Sequence, residues 1–443
     1  MVYNLMINRV VENFDDVRKF FFICNTILTI IFVLCYVYQF FYIFWVLLGK
    51  DKSPAVKSDK QNKFGVVISA RNEEAVIGNL LESINRQDYP KEFVKIFLIA
   101  DNCTDNTADV GRQYGATVLE RNNPDLVGKG YALDFLFQKL LAEKDDCDAY
   151  IVFDADNLVD KNFIKEMNKN FNRGYKALTS YRNSKNYSTN WITAGYSLWF
   201  LREAKYLNNA RMRLDTSCAI SGTGFCVSRE IIEKNNGWHY HLLTEDIEFS
   251  VDMAIRDEKI GYSEGSIVYD EQPVTFKQSW TQRLRWAKGF YQVFGKYGKS
   301  LFKGMVSGKF ACYDMLMTIF PALIFTILSI GCAIGESICG WMLFLEYPNV
   351  TNLVYHCLLP ICFFALIIYM LLFVVGFITL LTEWDVIDCP KGKKIKYLFT
   401  FPLFMITYIP IAIAALFQKV EWTPIEHSVT KSIDDFDEDK KED

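Results

Sequence analysis

The sequence predicts an α/β domain on a doubly wound, mostly parallel sheet, inserted between transmembrane helices. Three observations point there. Long apolar runs sit towards both ends of the chain, strand and helix patterns alternate between them, and acidic residues stand just past the predicted strands. Alternating strands and helices build parallel β-α-β units, whose ligands bind beyond the carboxyl ends of the strands.

The apolar runs set the frame. Phe20 to Leu48 is nearly uninterrupted, with Asn25 and Gln39 as its main polar side chains. A bilayer core takes about 20 apolar residues, so this run spans with some tilt. It is too long for a secretory signal and lacks the small-residue cleavage site. Met1 to Lys19 reads as an amphipathic segment lying at the interface. Ala311 to Ile334, Leu353 to Leu381 and Tyr397 to Phe417 read as further spans. Ile338 to Leu345 is too short to cross alone and reads as a re-entrant turn or part of an additional helix. Lys391, Lys393, Lys394 and Lys396, with Lys296, Lys299, Lys303 and Lys309, belong on the cytosolic side. Three spans after a cytosolic domain leave the C-terminus outside and four leave it inside; both stay open.

The expected division is therefore a leading segment and span (1–50), a cytosolic α/β domain (51–275), amphipathic interface helices (276–310), membrane helices (311–418) and an acidic tail (419–443), read as solvated. A net charge of −4, from 48 basic and 52 acidic residues, gives no case for nucleic acid. The 12 cysteines include no C-x-x-C pair, so neither a disulfide framework nor a cysteine zinc site is expected.

Within the central domain, Phe64 to Ala70 is a buried strand, and Arg71-Asn72-Glu73-Glu74 opens a helix running to Arg86. Ala70, Asn72 and Glu73 thus stand at a strand's carboxyl end as candidate substrate contacts. Val94 to Ala100 is a second strand, ended by Asp101. Ala149 to Phe153 is another, ended by Asp154-Ala-Asp156. Two carboxylates at i and i+2 can reach one hard divalent cation, Mg²⁺ or Mn²⁺, on a diphosphate. An acidic turn has the same spelling. Lys129, between Gly128 and Gly130 before a helix, is either a phosphate contact or a surface lysine. Thr244-Glu245-Asp246 opens a helix, so its acids read as a cap or as a general base. Gln282-Arg283-Leu284-Arg285-Trp286 lies in an aromatic and basic stretch that suits an interfacial helix. There Arg285 can also grip diphosphate, and Trp286 offers a face to a sugar ring.

In this order, Asp101, Asp154-x-Asp156, Thr244-Glu245-Asp246 and Gln282-x-x-Arg285-Trp286 resemble the membrane-integrated family 2 glycosyltransferases, which include cellulose, hyaluronan and poly-N-acetylglucosamine synthases. The resemblance covers about residues 63–300. It implies a GT-A fold and inversion of the donor's α-linkage to a β-linkage. It implies that Asp101 contacts uridine, Lys129 and Asp154 hold UDP, and Asp154 with Asp156 takes Mg²⁺ or Mn²⁺. Asp246, beside Glu245, becomes the base, while Gln282, Arg285 and Trp286 close over diphosphate and acceptor. Gly222, Thr223 and Phe225 become glycan contacts. Where the family often carries two adjacent aspartates, this chain has Ala100-Asp101.

The expected activity is processive polymerisation of a UDP-sugar, UDP-glucose to a β-1,4 or β-1,3-glucan, with export through the membrane helices. Trp199, Trp341 and Trp384 are candidate stacking residues along that path. The expected partners are the UDP-sugar, the growing polysaccharide and the bilayer of the plasma membrane; the sequence names no protein partner. The alternatives are a poly-N-acetylglucosamine or chitin-type synthase, a polyprenyl-phosphate sugar transferase, and a transporter or receptor with a nucleotide-binding domain.

Overall fold

The structure is a computed structural model that describes residues 11–421 and 433–435. It opens with α1 (Phe14–Leu48), β1 (Phe64–Ala70), α2 (Ile77–Asn85), β2 (Val94–Asp101), α3 (Thr107–Gln113) and β3 (Thr117–Arg121). Next come α4 (Lys129–Glu143), β4 (Ala149–Asp154), β5 (Leu158–Val159), α5 (Phe163–Phe171) and β6 (Ala177–Ser184). Then α6 (Trp191–Arg202) runs through a π-helical segment (Glu203–Asn208) into α7 (Asn209–Arg213). After these follow β7 (Phe225–Ser228), α8 (Arg229–Asn235), α9 (Glu245–Arg256), β8 (Ile260–Asp270) and α10 (Phe276–Val306). The remaining helices are α11 (Phe310–Ile319), α12 (Pro321–Glu346), α13 (Leu359–Thr382), α14 (Lys391–Ile406) and α15 (Tyr408–Phe417).

The strands form one eight-stranded sheet in the order β3-β2-β1-β4-β7-β6-β8-β5. The first four are parallel. β7 runs antiparallel to both β4 and β6, while β8 returns parallel to β6. Strands covered on both faces read as continuous apolar runs. β1 is such a run, with Phe64, Val66, Val67 and Ile68 at 0% exposure. α4 packs through Leu133, Leu136, Phe137 and Leu140, one stripe at helical spacing. Because β1, β2 and β4 run in parallel register, Ala70, Asp101 and Asp154 end at one edge of the sheet.

The helix expected from Arg71 begins only at Ile77. Asn72 adopts a left-handed φ of 58°. Its Oδ1 accepts from the Thr104 amide at 2.7 Å, and the Glu73 amide donates to Thr107 Oγ1 at 2.8 Å. These bonds hold the segment against the loop after β2 and keep Arg71 and Asn72 out of the helix.

Four helices are long and apolar enough to cross a membrane: Phe14–Leu48, Ala322–Glu346, Asn352–Thr382 and Lys391–Phe417. Outward side chains such as Phe22, Phe41 and Phe44 are well exposed, an apolar surface of the kind that suits a membrane. The run expected as one span from Ala311 is broken at Phe320, where Pro321 begins a new helix. α12 then continues through Ile338 to Leu345, which is therefore helical and not re-entrant. Met1 to Val10 and most of the acidic tail lie outside the described residues.

One buried network ties membrane helices to the domain. Arg211 on α7 grips Asp314 on α11 through Nε and Nη2, at 2.7 and 2.8 Å. Tyr38 and Tyr42 of α1 donate to the same carboxylate at 2.8 and 2.9 Å. Arg211 and Asp314 are each 1% exposed, a depth that requires this degree of pairing.

Candidate active site

A cleft of about 300 Å³ opens at the carboxyl edge of β1, β2 and β4 and runs to α10. Glu73, Asp101, Lys129, Asp154, Asp156, Gly222, Glu245, Asp246, Gln282, Arg285 and Trp286 all line it. Ala70, Asn72, Thr223 and Phe225 do not.

At the sheet edge, Asp101 pairs with Arg121 at 2.6 Å, both buried. Asp156 is 6% exposed and receives a bond from Asn157 Nδ2 at 3.4 Å. Lys129 enters from the first turn of α4 and donates to Asp154 Oδ1 at 2.6 Å and to the Gly222 carbonyl at 2.7 Å. Burial disfavours its ammonium, but Asp154 and Glu245 outweigh that and hold its pKa above the ordinary lysine value. Asp154 and Asp156 themselves offer carboxylate oxygens, the kind of ligand that hard divalent cations take.

Glu245 and Asp246 form the first turn of α9. Asp246 Oδ2 accepts from the Gly222 amide at 2.7 Å, and Gly222 sits at φ 75°, a backbone that favours glycine. Burial raises the Asp246 pKa, opposed by the Ile247 amide and by Lys129. Burial and the adjacent Asp246 charge push Glu245 up to about 7.

α10 closes the cleft. Gln282, Arg285 and Trp286 fall at i, i+3 and i+4, so they share one helix face. The neighbouring Arg283 faces the other way and donates to the Phe404 carbonyl at 3.1 Å and Thr407 Oγ1 at 2.9 Å. One arginine thus anchors α10 to the membrane helices while the other enters the site. Arg285 Nε and Gln282 Oε1 are buried without hydrogen-bond partners in the protein. Burial lowers the Arg285 pKa, resisted by the charges of Glu245, Asp154 and Asp246. Trp286 meets Tyr196 and Phe200 edge-on, at 5.7 and 6.0 Å between ring centroids.

The residues outside the cleft have structural placements. Phe225, expected as a glycan contact, is wholly buried in β7 and stacks on Trp238 at 5.8 Å. Thr223 accepts from the Asp154 amide at 3.0 Å and donates to Asn157, bracing the turn that presents Asp154 and Asp156. Ala70 is buried at the end of β1, and Asn72 braces the next loop. Of the tryptophans expected along an export path, Trp199 lines the cleft. Trp341 packs tilted against Phe344 on the same helix, and Trp384 lies under Lys394.

The sequence reading missed Arg182, Glu203 and Asp270. Arg182 pairs with Asp270 and lies 3.7 Å over the Phe200 ring. Asp270 ends β8, so the rule that found Asp101 and Asp154 would have found it too. Glu203 opens the π-helical segment and lines the cleft; burial raises its pKa, opposed by Arg182. Such segments often mark functional sites, but no sequence pattern announces this one.

This geometry is that of a glycosyltransferase. The family described as Glycosyltransferase like family 2 matches residues 61–289, and the chain belongs to it. It is 26% identical over 384 residues to the probable glycosyltransferase YdaM of Bacillus subtilis, covering 81% of this chain and 83% of that protein. It is 28% identical over 238 residues to the β-monoglucosyldiacylglycerol synthase of Synechocystis, covering 52% of this chain and 48% of that one. It is 25% identical over 258 residues to the poly-β-1,6-N-acetyl-D-glucosamine synthase of Staphylococcus epidermidis, covering 55% and 58%. The chain thus matches about half the length of the last two. Among solved structures, the mannosyltransferase PcManGT from Pyrobaculum calidifontis, in complex with GDP-Man and Mn²⁺, superposes with a TM-score of 0.55 at 14% identity. That match covers 89% of this chain and 98% of the other. The fold is GT-A.

Proposed function

We propose that this chain is a membrane-embedded, inverting β-glycosyltransferase that takes a UDP-sugar and extends a glycan processively, with its catalytic domain on the cytosolic side. The observation that carries the reading is the convergence of Asp154, Asp246 and the Gln282-x-x-Arg285-Trp286 face of α10 on one cleft beside the membrane helices.

In this reading Asp101 meets the nucleoside, and Asp154 with Asp156 holds Mg²⁺ or Mn²⁺. The ion offsets diphosphate charge when bound. Lys129 and Arg285 bind the diphosphate through charge-assisted hydrogen bonds, which strengthen as UDP departs. Asp246 takes the proton from an acceptor hydroxyl, whose oxygen attacks the anomeric carbon opposite UDP. The bond to UDP breaks as the new bond forms, and the configuration inverts. Trp286 and Trp199 give the acceptor flat apolar faces at the membrane end of the cleft.

A second reading is transfer of one sugar to a membrane lipid, favoured by the likeness to β-monoglucosyldiacylglycerol synthases. For the sugar, we infer UDP-glucose, with UDP-N-acetylglucosamine as the alternative. The test is UDP release by detergent-solubilised protein with each donor and with Mg²⁺ or Mn²⁺. Release with UDP-glucose supports the reading, release with UDP-N-acetylglucosamine alone changes the sugar, and release with neither overturns it.

A further inference from the structure

Two of the four histidines in the sequence, His239 and His241, converge on Asp134. One ligand atom from each of the three residues lies within 4.8 Å of the other two. Tyr240, between the histidines, turns inward against Trp238 and Phe249. Asp134 comes from the second turn of α4. That helix approaches so closely that a Cβ on Gly130 would lie 2.1 Å from the Tyr240 carbonyl oxygen.

The cluster has the support a metal site needs. The His241 ring is stacked flat on Tyr131, with centroids 4.3 Å apart and planes 3° from parallel. Its Nδ1 is buried with no hydrogen-bond partner in the protein. Asp134 Oδ1 accepts from the Trp238 amide at 3.0 Å, which orients the carboxylate from behind, as second-shell groups orient ligands.

We propose that Asp134, His239 and His241 form a Zn²⁺ site, separate from the oxygen-lined pair Asp154 and Asp156. Two imidazoles and one carboxylate suit Zn²⁺ and its neighbours in the transition series, whereas Mg²⁺ prefers oxygen and retains water. Three protein ligands leave one tetrahedral position for water. The ion joins α4, whose first residue is Lys129, to the segment that runs directly into Thr244, Glu245 and Asp246. Zn²⁺ therefore clamps the wall of the cleft that carries both the diphosphate lysine and the base. Binding does not depend on which sugar is transferred.

The test uses Co²⁺ as a spectroscopic stand-in for Zn²⁺. Full-length protein in detergent, purified without a histidine tag and held in saturating Mg²⁺, is titrated with Co²⁺. The expected result is visible d–d absorption saturating at one equivalent and bleached by Zn²⁺. His239→Ala, at an exposed position, should keep its metal-free melting temperature and lose both the absorption and the Zn²⁺-induced rise in melting temperature. Asp156→Asn should retain both. Absence of the band in the wild-type protein, or its persistence in His239→Ala, overturns the site.

Discussion

The Lys129 ammonium bridges Asp154 Oδ1 and the Gly222 carbonyl, at 2.6 and 2.7 Å. Because the Gly222 amide donates to Asp246, this lysine links the diphosphate end of the cleft to the proposed base. Lys129→Met should therefore affect more than donor affinity. We expect kcat/KM for the UDP-sugar to fall about 100-fold, the scale of one lost charge-assisted contact in a transition state. Steady-state kinetics at fixed metal measures this, and a change confined to KM would assign Lys129 to uniform donor binding alone.

Asp246→Asn removes the proton acceptor and little else, because the amide oxygen can still accept from Gly222. Turnover should drop by about 10²–10⁴-fold, the range general-base catalysis contributes, while UDP binds as before. Calorimetric UDP titration beside a turnover assay separates the two effects. Near-normal turnover in this variant would remove Asp246 from the role.

The pH profile follows from the same pair. Asp246 must be ionised to act, and burial raises its pKa, so activity is lost as pH falls through a value above the ordinary 3.8. Glu245, pushed up to about 7, titrates with it, and the apparent values belong to the pair. Glu245→Gln removes the neighbouring negative charge and should move the acidic limb of kcat/KM to lower pH. An unmoved limb would mean that the pair does not govern it.

Arg285 carries a buried Nε with no partner in the protein, so the folded state gains little from it and the departing diphosphate would gain much. Arg285→Ala should lower kcat by about 10²–10³-fold while leaving the melting temperature unchanged or higher. A large loss of thermal stability would recast Arg285 as structural.

The opposite holds for Asp314. Removing its carboxylate leaves Arg211, 1% exposed, without its ion-pair partner. Asp314→Ala should cost about 3–5 kcal/mol, and Tyr38 and Tyr42 would lose an acceptor with it. Thermal unfolding in detergent reads the loss, and an unchanged melting temperature would mean that α1 and α11 are held by packing alone.

Much of this was legible because strand ends announce themselves. β1, β2 and β4 each read as short apolar runs, and the acids at Asp101, Asp154 and Asp156 follow directly. The face of α10 was legible from spacing, since Gln282, Arg285 and Trp286 recur at helical intervals. The length of α12 was not, because Pro321 restarts a helix inside one apolar stretch and hydropathy does not register the break. Asn72 escaped for a related reason: its left-handed backbone is fixed by Thr104, a partner 32 residues away. Phe225 was misplaced because its motif names a segment and not a direction; on β7, Phe225 points into the core. Glu203 depends on a π-helical segment and the Asp134, His239 and His241 cluster on tertiary approach, and neither has a local signature.

The central proposal is processive extension, and product length under enzyme excess tests it most directly. Solubilised protein should be incubated with a limiting amount of labelled UDP-glucose, and with UDP-N-acetylglucosamine in parallel, and the product sized and digested with linkage-specific hydrolases. Processive synthesis predicts long polymer from the first turnovers, with few short intermediates and sensitivity to a β-linkage-specific enzyme. A label found only in a lipid-extractable monosaccharide, with no polymer at any donor concentration, would contradict it and identify a single-transfer enzyme acting on a membrane lipid.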